Sequence, residues 1–141
     1  MAVTEHTALT EGDIASLDMA RNWVRGHFTE DADVRYAPLE GKLGVLDGIL
    51  QNQWVGPAET NKLQWMGVAL GDALAQKLML DWVVVDDEHG RTISLHWPGT
   101  KIYCHPLTMI SKRVEKGDTV DVHELFDLVC ERLSEMAFSA K

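Results

Sequence analysis

The residues with the richest chemistry lie in the second half of the chain. Asp86-Asp87-Glu88-His89 is the densest polar run. Neighbouring carboxylates beside a histidine are the makings of a divalent-cation site or an acid/base pair. The same letters suit a solvated hairpin turn, where Asp bonds its own backbone. A Ca²⁺ loop spreads its oxygen ligands over about a dozen residues, so the turn reading weighs more. Asp86 differs from its neighbours because it ends an apolar run, and its carboxylate is expected to be partly buried against a cation. Opposite charge and a shared position at strand–helix junctions nominate Arg113 or Lys112 as that cation, in an ion pair fixing the hairpin to a short helix.

His96, Cys104 and His105 fall on neighbouring predicted strands. Cys104 and His105 are adjacent, so on a strand they face opposite sides and form no couple. A His96–His105 site across the sheet stays open, against the more common reading of a histidine satisfied by a carbonyl. Trp97 stands before Pro98 at a turn, where it either anchors a partner or covers the end of the core. Lys101, Lys112, Arg113 and Lys116 face only Glu115 within residues 101–116, a local charge of +3. That island is a candidate anion or acidic-partner site, weighed against an ordinary solvated helix face. The candidate binding residues are therefore Asp86, His96, Trp97, His105, Lys112 and Arg113. No catalytic residue, metal ligand or cofactor is assigned.

Several chemistries lack their motif. Neither G-x-x-x-x-G-K-[ST] nor G-x-G-x-x-G occurs, and no G-x-S-x-G elbow is present. His123-Glu124 resembles the start of a zinc-protease helix, but Asp127 stands where the second histidine belongs. Cys104 and Cys130 have no partner at zinc-ligand spacing and read as buried free thiols.

These residues need elements to hold them. Thr10 and Asp13 mark a helix start, and Ile14, Leu17, Ala20, Val24 and Phe28 repeat at helical spacing, predicting a helix over 11–28. Glu30-Asp31-Ala32-Asp33 reads as an acidic connector. Leu39, Leu43, Leu46 and Leu50 predict a second helix, weakened by Gly41, Gly44 and Gly48. Gly56-Pro57 breaks it. Leu63, Met66, Leu70, Leu74 and Leu78 predict a third, whose wide stripe implies burial. Gly67 and Gly71 on it suggest a groove for another element. The Val83-Val84-Val85 run favours a strand. Residues 91–96 alternate as a second, and residues 100–105 make a third. Pro106 opens a helical turn that Gly117 stops, and Asp121 with Glu124 caps a last helix. The expected fold is α+β: three N-terminal helices, a three-stranded antiparallel meander, then two helices packed on one face of the sheet. One domain spans 1–141, with 1–60 a helical N-terminal extension and 61–141 the α+β core.

The chain has 141 residues, 45% of them hydrophobic, with 13 Lys+Arg against 22 Asp+Glu. That length and mix bury a core without staples. A net charge of −9 argues against nucleic acid and against an anionic membrane surface. No apolar stretch approaches the ~20 residues of a membrane span. The N-terminus lacks a signal-peptide pattern, and with two separated thiols this points to the cytoplasm.

The runs Asp81-Trp82-Val83-Val84-Val85-Asp86-Asp87-Glu88-His89-Gly90, His96-Trp97-Pro98-Gly99 and Pro106-Leu107-Thr108-Met109-Ile110-Ser111-Lys112-Arg113-Val114-Glu115-Lys116-Gly117 resemble the bacterial domain of unknown function 3806, over about residues 63–133. The resemblance implies a small bacterial α+β protein. It links Asp86, Gly90, Pro106, Lys112 and Arg113 as a set, and supplies no activity and no catalytic residue. The expected function is a non-enzymatic protein-interaction or binding domain. One alternative is an immunity-type protein that masks a basic toxin with acidic faces. The other is a small-ligand or enzyme site using His96, His105, Asp86 and Lys112 at the sheet rim. A protein partner or a homodimer is compatible with each.

Overall fold

The first helix, α1 (Glu11–Arg25), begins where its cap is written. Thr10 Oγ1 accepts the Asp13 N–H, and Asp13 Oδ2 accepts the Thr10 N–H, a closed capping box. Leu17, Ala20 and Val24 are its buried stripe. The computed structural model describes residues 6–88 and 90–139, so the sequence reading of His89 falls outside the described residues. The helix stops at Arg25, three residues short of the predicted end. There the Gly26 N–H closes onto Asn22 and the His27 ring bonds the Trp23 and Val24 carbonyls.

The predicted acidic connector is in part a helix, α2 (Ala32–Tyr36), entered through Asp31 at a φ of 50°. Its five residues are too few for a periodic signal, and Tyr36 holds it by burying its ring. Next come α3 (Leu39–Gln51) and α4 (Thr60–Leu78). The α4 helix buries nine residues and packs against α1, α3 and everything C-terminal to the sheet, so it is the centre of the core. The groove expected at its glycines is occupied. A Cβ on Gly67 would lie 2.6 Å from the carbonyl oxygens of both Pro106 and Leu107, and one on Gly71 would strike the Trp82 ring.

The sheet has four antiparallel strands, not three. They are β1 (His6–Thr7), β2 (Asp81–Asp87), β3 (Gly90–His96) and β4 (Tyr103–Cys104), in that spatial order. The extra strand pairs His6 with Val85 and Thr7 with Val84. Two residues carry no alternation, so sequence could not show it. In the hairpin between β2 and β3, Gly90 takes a φ of 114°, which only glycine adopts cheaply. The third predicted strand shrinks from 100–105 to Tyr103–Cys104. Thr100 is committed to a turn, its N–H and hydroxyl both donating to the Trp97 carbonyl.

A 3-10 turn (Pro106–Thr108) leads into α5 (Met109–Glu115), and α6 (Val122–Ser139) follows. Gly117, at a φ of 84°, ends α5, with its N–H on Val114 and that of Asp118 on Arg113. Asp121 Oδ1 accepts the Glu124 N–H at the start of α6. The expectation that both C-terminal helices lie on the sheet needs correction. The α5 helix packs on α4, and α6 on α3 and α4, because Ile110, Val122, Leu125 and Phe126 join the helical core. The sheet meets the helices at two places: Trp82 and Ile93 pack on Leu17, Ala20 and Val68, and Leu95 and Cys104 join the main core with Ile110, Leu125 and Phe126.

Candidate functional site

The C-terminal helices leave a cleft of about 400 Å³ between α5 and α6, closed at one end by β4. Its apolar lining is Cys104, Met109, Leu128, Val129, Leu133 and Met136. Its polar lining is Tyr103, His105, Thr108, Lys112, Arg113 and Arg132. Among the described residues no carboxylate lines it. Lys112 and Arg113 are brought here because α5 is anchored by buried Ile110 and Ser111, which turns the next two residues outward. Arg132 sits one helical turn from both Leu128 and Met136 on α6. Arg113 Nη1 donates to the Met109 carbonyl at 2.9 Å, one turn back on α5, which tethers the guanidinium beside the cleft that Met109 also lines. Among the described residues, Lys112, Arg113 and Arg132 form no ion pair with any carboxylate.

His105 is exposed at the mouth, with Nδ1 2.8 Å from Ser94 Oγ. Ser94 is fully buried, so its hydroxyl orients the ring and has no access to a substrate. Burial pushes the Cys104 thiol up to about 12, with a smaller contribution from Cys130. The thiol is therefore protonated at neutral pH and serves as apolar floor rather than as a nucleophile.

Beyond Arg113 and Leu128 the groove opens into a second cavity of about 300 Å³. Both of these residues line it too, together with Thr119, Val120, Asp121, Glu124 and Leu125.

The other candidates sit elsewhere. His96 is buried, its Nε2 2.8 Å from the Thr100 carbonyl and its ring against those of His6 (4.3 Å) and Tyr103 (4.8 Å). His6 Nδ1 in turn meets the Tyr103 hydroxyl at 2.7 Å. Trp97 is partly buried against the end of the core. Asp86 is exposed near the hairpin tip, opposite Arg91 in the ladder. The expected ion pair of Asp86 with Arg113 or Lys112 does not form among the described residues: both cations line the cleft, and Arg91, beside Asp86 in the ladder, bonds Asp13 at 2.6 and 2.7 Å. Of the four residues of the rim-site reading, His105 and Lys112 share the cleft, while His96 and Asp86 do not line it. Among the described residues no three His, Cys, Asp or Glu side chains are grouped to hold a metal ion.

Sequence reasoning missed Arg132, which lies outside the 101–116 island and comes to it only through the packing of α6. It also missed Asp72. That carboxylate accepts from Arg21 Nε (2.7 Å), Arg21 Nη2 (2.8 Å), the Tyr36 hydroxyl (2.7 Å) and Trp82 Nε1 (3.0 Å). The available signal was a lone acid between Gly71 and Ala73 in the helix with the widest buried stripe.

Among solved structures, a crystal structure from Bacteroides thetaiotaomicron VPI-5482 is similar, with a TM-score of 0.76 at 13% identity. The match covers 93% of this chain and 48% of that one, so the chain spans about half the length of its structural relative. At that identity the likeness shows the fold. No curated protein matches the chain. The match to a family model runs over residues 42–126, from within α3 into α6, so it starts earlier and stops sooner than the stretch expected from the motifs. It takes in His105, Lys112 and Arg113 but not Arg132, and by it the chain belongs to the family defined by the domain of unknown function DUF3806.

Proposed function

We propose that the chain is a non-enzymatic binding domain and that the cleft between α5 and α6 receives an organic anion with an apolar body. One observation carries this reading. In a protein of net charge −9, Lys112, Arg113 and Arg132 crowd one apolar cleft and none has a carboxylate partner among the described residues. Three cations beside an apolar floor match an anion that carries an apolar body, the head pairing with the cations and the body covering the floor. Its volume lies in the usual range for small-molecule sites, ~300–1,000 Å³. The immunity-type alternative places a basic partner on the exposed carboxylates of α6, Asp127, Glu131 and Glu135. Charge alone supports that alternative, whereas the cleft adds shape and an apolar floor.

The test is titration with octanoate, followed by backbone amide NMR, against octanol as the uncharged control. Octanoate is expected to shift amides within 103–113 and 128–136 and to bind more tightly than octanol. The Lys112→Ala/Arg132→Ala double variant is expected to weaken octanoate by about fivefold or more, given up to ~1 kcal/mol per partly exposed charge pair. Equal affinity for acid and alcohol, or shifts confined to other elements, would overturn the reading.

A further inference from the structure

The groove does not end with the cationic cleft, and its two ends carry opposite charge. The cleft and the second cavity meet at Arg113 and Leu128, which line both. On one side stand Lys112, Arg113 and Arg132, on the other Asp121 and Glu124. Along α6, Glu124, Leu128, Arg132 and Met136 recur every fourth residue, so they form one ridge on one side of the helix. Apolar Leu125 and Leu128 lie between the charged ends.

We infer that this groove takes a short zwitterionic peptide of about four residues, its C-terminal carboxylate among Lys112, Arg113 and Arg132 and its N-terminal ammonium at Asp121 and Glu124. The inference rests on the reading of the cleft as an anion site and names the ligand class. Length sets the size. Glu124 and Arg132 are eight residues apart on the helix, a rise of ~12 Å. An extended chain covers ~3.3–3.6 Å per residue, so about four residues bridge the two ends. Charge sets the polarity. The Glu124 side chain has no partner among the described residues, and only one oxygen of Asp121 is engaged, by the Glu124 N–H. Two carboxylates outweigh the roughly half positive charge of the α6 N-terminus.

Calorimetric titration of the full chain with the peptide Ala-Leu-Ala-Leu, in free, N-acetylated and C-amidated forms, separates the two ends. The free peptide is expected to bind, and either modification to weaken it by about fivefold, the upper range for a partly exposed charge pair. Glu124→Gln is expected to weaken the free peptide by a similar factor and to leave the N-acetylated form unchanged, a coupling only a direct contact gives. N-acetylated peptide binding as tightly as free peptide would overturn the zwitterion inference and leave the anion cleft standing. So would octanoate binding in the cleft with no binding of the free peptide. C-amidated peptide binding as tightly as free, or no binding of either peptide or octanoate, would overturn both.

Discussion

Asp72 holds four donors from three other elements: Arg21 on α1, Tyr36 on α2 and Trp82 on β2. Its side chain is 11% exposed and that of Arg21 19%, so the pair has little water to fall back on. Burial, and then the Asp72 charge, push the Tyr36 phenol well above its ordinary range, so the hydroxyl stays a donor at any working pH. Removing one member of such a network strands the others. Asp72→Ala is expected to cost about 3 kcal/mol in urea unfolding, and a loss below ~1 kcal/mol would show that the network is held by packing alone. Asp13 is a second residue whose role exceeds its apparent one. As a helix-start acid it was legible, but its bidentate bond to Arg91, 78 positions away, was not. That bond, then the Thr10 N–H, hold its carboxyl well below the usual range, against a smaller opposing effect of burial. A depressed folded pKa gives stability that is present above the unfolded value, near pH 4, and lost as pH falls toward the folded one. The acid limb of a stability–pH curve should therefore be shallower in Asp13→Asn than in the native chain, and superimposable limbs would remove Asp13 as the group responsible.

At the scale of elements, glycines that look alike in sequence behave oppositely. Gly67 meets backbone: a methyl group there would press on the Pro106 and Leu107 carbonyls, and backbone cannot step aside as a flexible side chain can. Gly44 on α3 has nothing within 4 Å of where its Cβ would be. Gly67→Ala should therefore destabilise by about 2 kcal/mol or more through overpacking. Gly44→Ala should stabilise by about 0.5–1 kcal/mol through helix propensity. Thermal unfolding of the two variants checks the opposite signs, and equal signs would mean that the close approach of α4 to the 3-10 turn is not tight. The same contrast shows what was readable. The long helices α1, α3, α4 and α6 announced themselves by period, and the β2–β3 hairpin by its valines and Gly90. Short elements did not: α2 depends on Tyr36 finding the core, and β1 on Val84 and Val85 being free to pair. Half of the cleft was legible as well, since His105, Lys112 and Arg113 lie within one short stretch of excess positive charge. Arg132 was not, because chain distance hides what α6 packing brings together.

Across the whole molecule the charge works in two directions at once. Residues 1–60 hold 4 basic and 10 acidic residues, and the remainder 9 and 12, so an approaching anion first meets repulsion. Only within a few ångströms does it meet Lys112, Arg113 and Arg132. Salt distinguishes the two distances. The screening length falls from ~30 Å at 0.01 M to ~8 Å at 0.15 M, which removes the long-range repulsion before it greatly weakens contacts inside the cleft. The association rate of octanoate is therefore expected to hold or rise between these salt concentrations, while its dissociation rate rises modestly. A ligand steered by a basic surface would instead associate more slowly as salt is added. A zwitterionic tetrapeptide, with no net charge to be repelled, should show the flatter association rate of the two. Stopped-flow measurements, following displacement of a fluorescent carboxylate by each ligand, read both rates directly. An octanoate association rate that drops with salt would show that the local cations of the cleft, not the net charge of −9, govern the approach.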